Sequence, residues 1–218
     1  MPNNENIQAD IAVIGSGGAG LAAAVAAAEK GASVVVLEKN KALGGRSVRA
    51  EGFFAADSPA QQRFGIDAPK DVLFRMAMDY AHWRINPRIM RAYIDKSGDT
   101  VRWLEAKGCL IDRVTPFYRN QVYRVWHQPR QGGAEVISVL TKTCEKLGVR
   151  SLPETPAKKI LTDNSGKIIG VNAINDKKEI RINVKSVIIA TGGFGGNKEL
   201  LKKYCPDYSE DINCAAPV

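Results

Sequence analysis

The chain has 218 residues, 44% of them hydrophobic, which is enough to bury one large core or one domain carrying an excursion. Its formal charge of +8 comes from basic residues interleaved with acids rather than gathered in a block, so the excess is read as ordinary surface charge and not as a nucleic-acid interface. No stretch approaches a membrane span, and the opening MPNNENIQAD has neither a basic start nor an apolar run, so no signal peptide is read and a cytoplasmic protein is expected.

The first element is an apolar β-branched run, Ile11 to Ile14, that suits a buried parallel strand. Directly behind it, Gly15-Ser16-Gly17-Gly18-Ala19-Gly20 supplies a G-x-G-x-x-G turn. The Ala-rich Leu21 to Lys30 then predicts a helix capped by Gly31, and Val34 to Leu37 predicts a second strand ending in Glu38. This order is that of a dinucleotide site. The glycines allow a tight turn and close approach of a pyrophosphate, and the helix N-terminus offers unpaired N–H groups and about half a positive charge. Glu38 stands where a carboxylate accepts hydrogen bonds from the adenosine ribose hydroxyls and repels a 2′-phosphate.

After Glu38 the sequence predicts a Gly-rich loop, KALGGRSVRAEGFFAADSPAQ, then helices over about 70–83 and 87–107, the second closed by Gly108. A mixed segment without a clear period follows. A helix over 133–147 places Val136, Val139, Leu140, Cys144 and Leu147 on one face. AKKILTD, IIGVNAIN and EIRINV, separated by the turn signals NSGK and DKK, predict a β-meander. Val187 to Ala190 predicts a last buried strand, running into TGGFGGNKELLKKY, a second glycine turn that opens a helix.

A nicotinamide domain usually continues with alternating βαβ units. Here one such unit is followed by a helical excursion over about 65–148, a meander and a late strand ending in Ala190-Thr191-Gly192, which favours FAD; the late strand is expected to rejoin the same parallel sheet and to bring its turn to the same cofactor. The predicted fold class is therefore α/β, a Rossmann-like FAD-binding domain whose parallel sheet is interrupted by the excursion and a β-meander crossover.

The motifs VIGSGGAGLAAA, VLEK, GGRSVRAEGFFAA, TPAKKIL and VIIATGGFGGNKELL, in this order and over essentially the whole chain, resemble the N-terminal flavin-binding part of the fumarate reductase/succinate dehydrogenase flavoprotein family, with most likeness to its soluble fumarate and urocanate reductases. The resemblance implies that Gly15, Ser16, Gly17, Gly18, Ala19 and Gly20 form the pyrophosphate loop and that Glu38 and Lys39 lie at the adenosine end. It implies further that Gly45, Arg46 and Ser47 turn beside the pyrophosphate and flavin. Glu51 and Gly52 pass the isoalloxazine ring, with the Gly52 N–H near N5; Ala157 meets the adenine, and Ala190, Thr191 and Gly192 form the late flavin turn. Relatives often carry Asn where Arg46 stands and Gly where Phe53 stands, so a narrower pocket than a simple dicarboxylate needs is expected beside the flavin. Membrane-bound relatives attach FAD through a histidine in this loop, and none occurs between Lys39 and Pro69, so the resemblance implies non-covalent FAD. The family continues with a GDG turn, a capping domain and a C-terminal return carrying the substrate-binding His and Arg residues. On this reading residues 1–218 are an incomplete FAD-binding domain without its catalytic set, and a second polypeptide is the expected source of the cap.

Among the residues present, no catalytic residue is assigned. His127 and His82 are read as structural histidines, Glu51 as a surface or capping acid, Trp83, Trp103 and Trp126 as packing groups, and Arg124 and Arg130 as a solvated face. The four cysteines are scattered without a C-x-x-C pair, which suits reduced thiols and leaves no metal site predicted. The resulting reading is the FAD-binding part of an oxidoreductase transferring a hydride between flavin N5 and an activated C–C bond. Two alternatives stand beside it: a non-catalytic nucleotide-binding module or product of an interrupted gene, and an NAD-linked dehydrogenase.

Overall fold

A computed structural model describes residues 7–117, 122–209 and 211. Two compact units are present, one made of Met1–Val48 with Leu140–Val218 and the other of Arg49–Val139. The second unit thus begins and ends earlier than the helical excursion expected over 65–148.

The first unit is built on a four-stranded parallel sheet of β2 (Ile11–Ile14), β3 (Val34–Leu37), β7 (Arg150–Leu152) and β11 (Ser186–Ile189), in the order β11-β2-β3-β7. Register pairs Ile14 with both Leu37 and Ile189, so β2, β3 and β11 end level with one another. Helix α1 (Gly18–Ala28) crosses over from β2 to β3 and buries Leu21, Ala24 and Val25. On the other face lies the meander: β8 (Ala157–Thr162), β9 (Ile168–Asn175) and β10 (Lys178–Asn183), joined by β1 (Ile7–Gln8) running parallel to β10. Alternation along the strands explains the division. Ala12, Val35 and Leu37 point into a core with Val171, Ala173 and Ile182 of the meander, which leaves Val13, Val34 and Val36, equally buried, for the opposite face.

The second unit contains the helices α2 (Pro59–Arg63), α3 (Lys70–Tyr80) and α4 (Pro87–Glu105), and an antiparallel sheet of β4 (Phe53–Phe54), β5 (Ile111–Thr115) and β6 (Trp126–Pro129) in the order β4-β6-β5. Its core gathers Ala56, Ala68, Leu73, Ile94 and Val125. The N-termini follow their sequence signals. Ser58 and Gln61 close a capping box around Pro59, and the Asn86 side chain accepts hydrogen bonds from the N–H groups of Arg88 and Ile89 behind Pro87. Of helix α5 (Gly133–Lys146), residues up to Val139 are assigned to the second unit and those from Leu140 to the first.

Differences from the sequence expectations have local causes. Helix α1 starts at Gly18, inside the glycine loop. Helix α3 stops at Tyr80 because His82 and Trp83 are left-handed, with φ of 49° and 56°. Leu147, placed on the buried face of α5, is 40% exposed, since that helix has ended before it. The mixed segment is β5 and β6, too short and irregular in period to be seen without its partner β4.

Candidate functional site

The parallel sheet has its switch point at β2, where β3 departs to one side and β11 to the other, and ligands of open α/β sheets bind outside the carboxyl ends of the strands at such points. Three predicted motifs meet here. The Gly15 N–H donates to the Leu37 carbonyl at 2.8 Å, and the Ala190 N–H donates to the Ile14 carbonyl at 2.8 Å. Gly15 is left-handed, φ 102°, and a Cβ on it would stand 2.4 Å from the Ala190 carbonyl oxygen; one on Gly20 would stand 1.9 Å from the Gly15 oxygen. Both glycines are therefore demanded by the packing of protein on itself.

Gly17 is not. It caps α1 with φ −64° and ψ 178°, extended backbone that any residue adopts, and offers no side-chain hydrogen bond to the helix. The nearest group to a Cβ on Gly17 would be Ser47 Oγ at 3.8 Å. Nothing in the protein requires glycine there: a Cβ would make only ordinary van der Waals contact with Ser47 Oγ and the Gly44 carbonyl oxygen. Ser47 Oγ accepts the Gly18 N–H at 3.0 Å, and a 3-10 turn, Gly45–Arg49, begins beside this loop through a bridge between Gly17 and Gly44. Arg46, within that turn, is exposed; Ala19 also faces solvent.

Glu38 is buried just past the end of β3. Its Oε2 accepts from the Ser16 N–H at 3.0 Å and the Ser16 hydroxyl at 2.6 Å, and its Oε1 accepts from the Asn40 N–H at 2.9 Å. Burial opposes its ionisation, but the Ser16 hydroxyl, the two N–H groups and the neighbouring Lys39 charge outweigh it and hold the carboxyl below its ordinary value. The Glu38 carbonyl accepts the Thr155 N–H at 2.7 Å. Ser16, fully buried, also receives the Gly44 N–H on its hydroxyl. Glu38 is thus the tie that fixes the glycine loop to the end of β3, a role that sequence spacing did not reveal. Asn40, Gly44 and Thr155 join it without any motif signal of their own.

Lys39 is exposed and lines a cleft of about 590 Å³ with Thr191, Gly192, Gly193 and Asn197, so the ends of β3 and β11 share one concave surface. Gly192 is left-handed, φ 76°. Ala157 opens β8 and pairs with Ala173, half-buried against the core between meander and parallel sheet.

The remaining candidates lie in the second unit. Glu51 is exposed. Gly52 is buried, and a Cβ there would meet the His127 carbonyl at 2.5 Å and Trp126 Nε1 at 2.8 Å, so β6 itself requires this glycine. His127 is fully buried: Nδ1 donates to the Val125 carbonyl at 3.0 Å, which leaves Nε2 to accept the Ser58 hydroxyl at 2.6 Å. Phe53 stacks on its ring at 5.9 Å between centroids. Burial holds the imidazole below its ordinary pKa against the Val125 bond and the Glu105 charge, so it is a neutral structural group. Arg124 donates to the Val114 carbonyl and Arg130 to Asp112, whereas Trp83 departs from the packing role expected of it and is 58% exposed. Burial, with Glu135 and Glu105 adding to it, pushes the Cys109 thiol up to about 12; burial with Glu145 pushes Cys144 to about 11. Among the described residues no group of His, Cys, Asp and Glu could hold a metal ion, and no helix is long and apolar enough to cross a membrane.

The FAD binding domain family matches residues 10–218. The chain is 35% identical over 203 residues to the NADH:fumarate oxidoreductase of Klebsiella pneumoniae, covering 91% of this chain and 22% of that protein. It is 36% identical over 198 residues to the vinyl phenol reductase of Lactiplantibacillus plantarum, covering 89% and 40%. In structure it resembles the open conformation of a flavocytochrome c3 fumarate reductase, with a TM-score of 0.85 at 28% identity over 92% of this chain and 36% of that one. The chain spans less than half the length of each of these three proteins. With the glycine loop, the Glu38 tie and the late turn all at the carboxyl edge of one parallel sheet, it belongs to the FAD binding domain family.

Proposed function

We propose that this chain holds FAD non-covalently, with the pyrophosphate over Gly17 and the N-terminus of α1, as the flavin-binding part of a reductase acting on an activated C=C bond. The observation that carries the site is the unstrained Gly17, where a Cβ would meet only ordinary contacts and the protein's own packing does not demand glycine. Gly18, Ala19 and Gly20 present the first turn of α1 toward the phosphates, Glu38 keeps the loop in that shape, and Lys39 supplies a positive charge on the adenosine side. Glu38 Oε1, with one protein donor, keeps a lone pair for a ribose hydroxyl. Gly45, Arg46 and Ser47, the Ala157 backbone, Glu51, Gly52 and the turn Ala190-Thr191-Gly192 keep the roles their motifs imply. Bound FAD supplies hydride transfer at flavin N5.

Substrate positioning and proton donation are assigned to polypeptide outside these residues, in the same or a second chain. The share of the relatives left uncovered and the structural engagement of His127, Arg124 and Arg130 support this. Positioning of that kind is worth roughly 7–11 kcal/mol of barrier. A reducing, cytoplasmic setting completes the reading and is supported by the free thiols of Cys109, Cys144 and Cys205. The test is the absorption spectrum of the purified chain with added cofactors: a flavin spectrum is expected, with FAD released intact by acid or heat. A colourless chain that takes up NAD but not FAD overturns the assignment. The FAD-loaded chain alone is expected to leave fumarate and urocanate unreduced by a viologen donor, and turnover abolished by Glu51→Ala would place the chemistry within these residues instead.

A further inference from the structure

Behind β7 the chain turns over residues 152–155, and the turn opens around the backbone of Glu38. The Leu152 carbonyl and the Thr155 N–H, which bond each other in a closed β-turn, go instead to the Glu38 N–H at 2.9 Å and the Glu38 carbonyl at 2.7 Å. Next to them the Glu154 N–H donates to the Asn40 carbonyl at 3.0 Å. Glu154 has φ 50°, left-handed backbone that disfavours any residue carrying a Cβ, and its side chain is exposed. Strain of this kind persists only where the surroundings over-determine it, and it gathers at sites that hold ligands.

The turn is fixed from its other side by the meander. Thr155 is fully buried; its hydroxyl donates to the Pro153 carbonyl at 2.8 Å and accepts the Asn175 side-chain N–H at 2.6 Å. Asn175 is the last residue of β9, and its place is set by the two-residue hairpin behind it, where it pairs with Lys178 and where Asp176 and Lys177 are both left-handed, φ 47° and 62°, as such a turn requires. The Ile174 N–H donates to the Pro156 carbonyl at 3.1 Å and fastens the same segment. Contacts therefore run without a break from the hairpin through Asn175 and Thr155 to the backbone of Glu38. The Ser16 bonds fix only Oε2 of its carboxylate; Oε1, with the Asn40 N–H as its protein donor, depends on where the backbone of residues 38 and 40 lies.

We propose that Asn175 is a positioning residue for adenosine recognition: through the Thr155 hydroxyl it holds the 152–155 turn on the Glu38 backbone, and so holds Glu38 Oε1 where it accepts a ribose hydroxyl. This role rests on the flavin assignment, while Asn175 itself lies outside the motifs that carry that assignment.

The test is displacement of FAD from the full chain, followed by flavin fluorescence, with ADP and with 2′,3′-dideoxy-ADP, which differ only in the ribose hydroxyls. In the parent chain ADP should act at a concentration at least about tenfold lower than the dideoxy compound, the discrimination of one charge-assisted hydrogen bond. In Asn175→Ala and Thr155→Val the ratio should fall to about threefold or less, and Thr155→Ser, which keeps the hydroxyl, should retain the parent ratio. Urea unfolding of each variant separates a change of ratio from a loss of stability, and the half-buried Asn175 carries the test should Thr155→Val not fold. Variants that lose stability but keep the parent ratio, or a Thr155→Ser ratio as low as that of Thr155→Val, would reduce these bonds to structural ones and overturn the role. A parent chain that binds FAD without telling the two nucleotides apart overturns it as well and leaves the flavin assignment standing, whereas a parent that takes up no FAD overturns both.

Discussion

Replacing Glu38 by alanine removes the acceptor of three hydrogen bonds at once: the Ser16 N–H, the Ser16 hydroxyl and the Asn40 N–H. Ser16 is fully buried, so its two donors lose their partner out of reach of bulk solvent. An unsatisfied buried donor costs about 1–3 kcal/mol. The two Ser16 donors together therefore set a loss of about 2–6 kcal/mol, with the half-exposed Asn40 N–H adding little, against a total stability of roughly 5–15 kcal/mol for a domain. FAD affinity should fall as well, since the glycine loop loses the tie that shapes it and the ribose loses an acceptor, by about 1.5–3 kcal/mol for one charge-assisted bond. Urea unfolding followed by circular dichroism measures the first quantity and fluorescence titration of the stripped protein with FAD the second. The pH dependence carries the same signature. The folded carboxyl sits below the ordinary value of 4.5, so its contribution is complete above that value and is lost as pH falls through the lower folded value; the acid side of the stability curve should flatten in Glu38→Ala. A variant within about 1 kcal/mol of the parent, with unchanged FAD affinity, would refute the role given to Glu38.

His127, buried and neutral with its pKa held below 6.5, should contribute stability that is complete above that value and declines as pH drops toward the folded pKa; unfolding midpoints at pH 7.5 and 5.5, the window of about one unit either side, should differ in the parent and converge in His127→Ala. The same variant should lose roughly 2–4 kcal/mol from the orphaned Ser58 hydroxyl and the cavity, a loss read in urea, while FAD affinity per folded molecule stays unchanged. Cys109 and Cys144, with thiols pushed up to about 12 and 11, should resist a disulfide-exchange reagent in the native protein and react only on unfolding; fast native labelling of either, mapped by mass spectrometry, would contradict their burial.

Much of the cofactor edge was legible from sequence because its signals are local. A β-branched run, a glycine turn, an Ala-rich helix and a second run ending in an acid fix β2, α1 and β3 within residues 11–38. Strand β11 was found for the same reason, although its place beside β2 needed the expectation that it rejoins the sheet. The sheet of β4, β5 and β6 was not legible, since β4 has two residues and β6 contains a proline, so its pairing is visible only in three dimensions. Glu38 follows the end of β3 as its position in sequence predicts, but its three bonds to Ser16 and Asn40 depend on a loop conformation that no spacing rule encodes. Gly52 shows the opposite case: a glycine that the motif assigns to the flavin is required by the packing of β6 against it.

The glycine loop offers the most direct test, because its members differ in what they serve. Gly20→Ala should prevent folding, since its methyl would lie 1.9 Å from the Gly15 oxygen. Gly17→Ala meets no atom closer than 3.8 Å and needs no change of backbone, so its folding free energy should stay within about 1 kcal/mol of the parent, the range of an N-cap change. If the space above Gly17 holds the pyrophosphate, the methyl occupies it. The decisive measurement is FAD affinity of folded Gly17→Ala by fluorescence titration: a loss of at least about tenfold at near-parental stability is predicted, and undiminished FAD binding would contradict the placement of the cofactor.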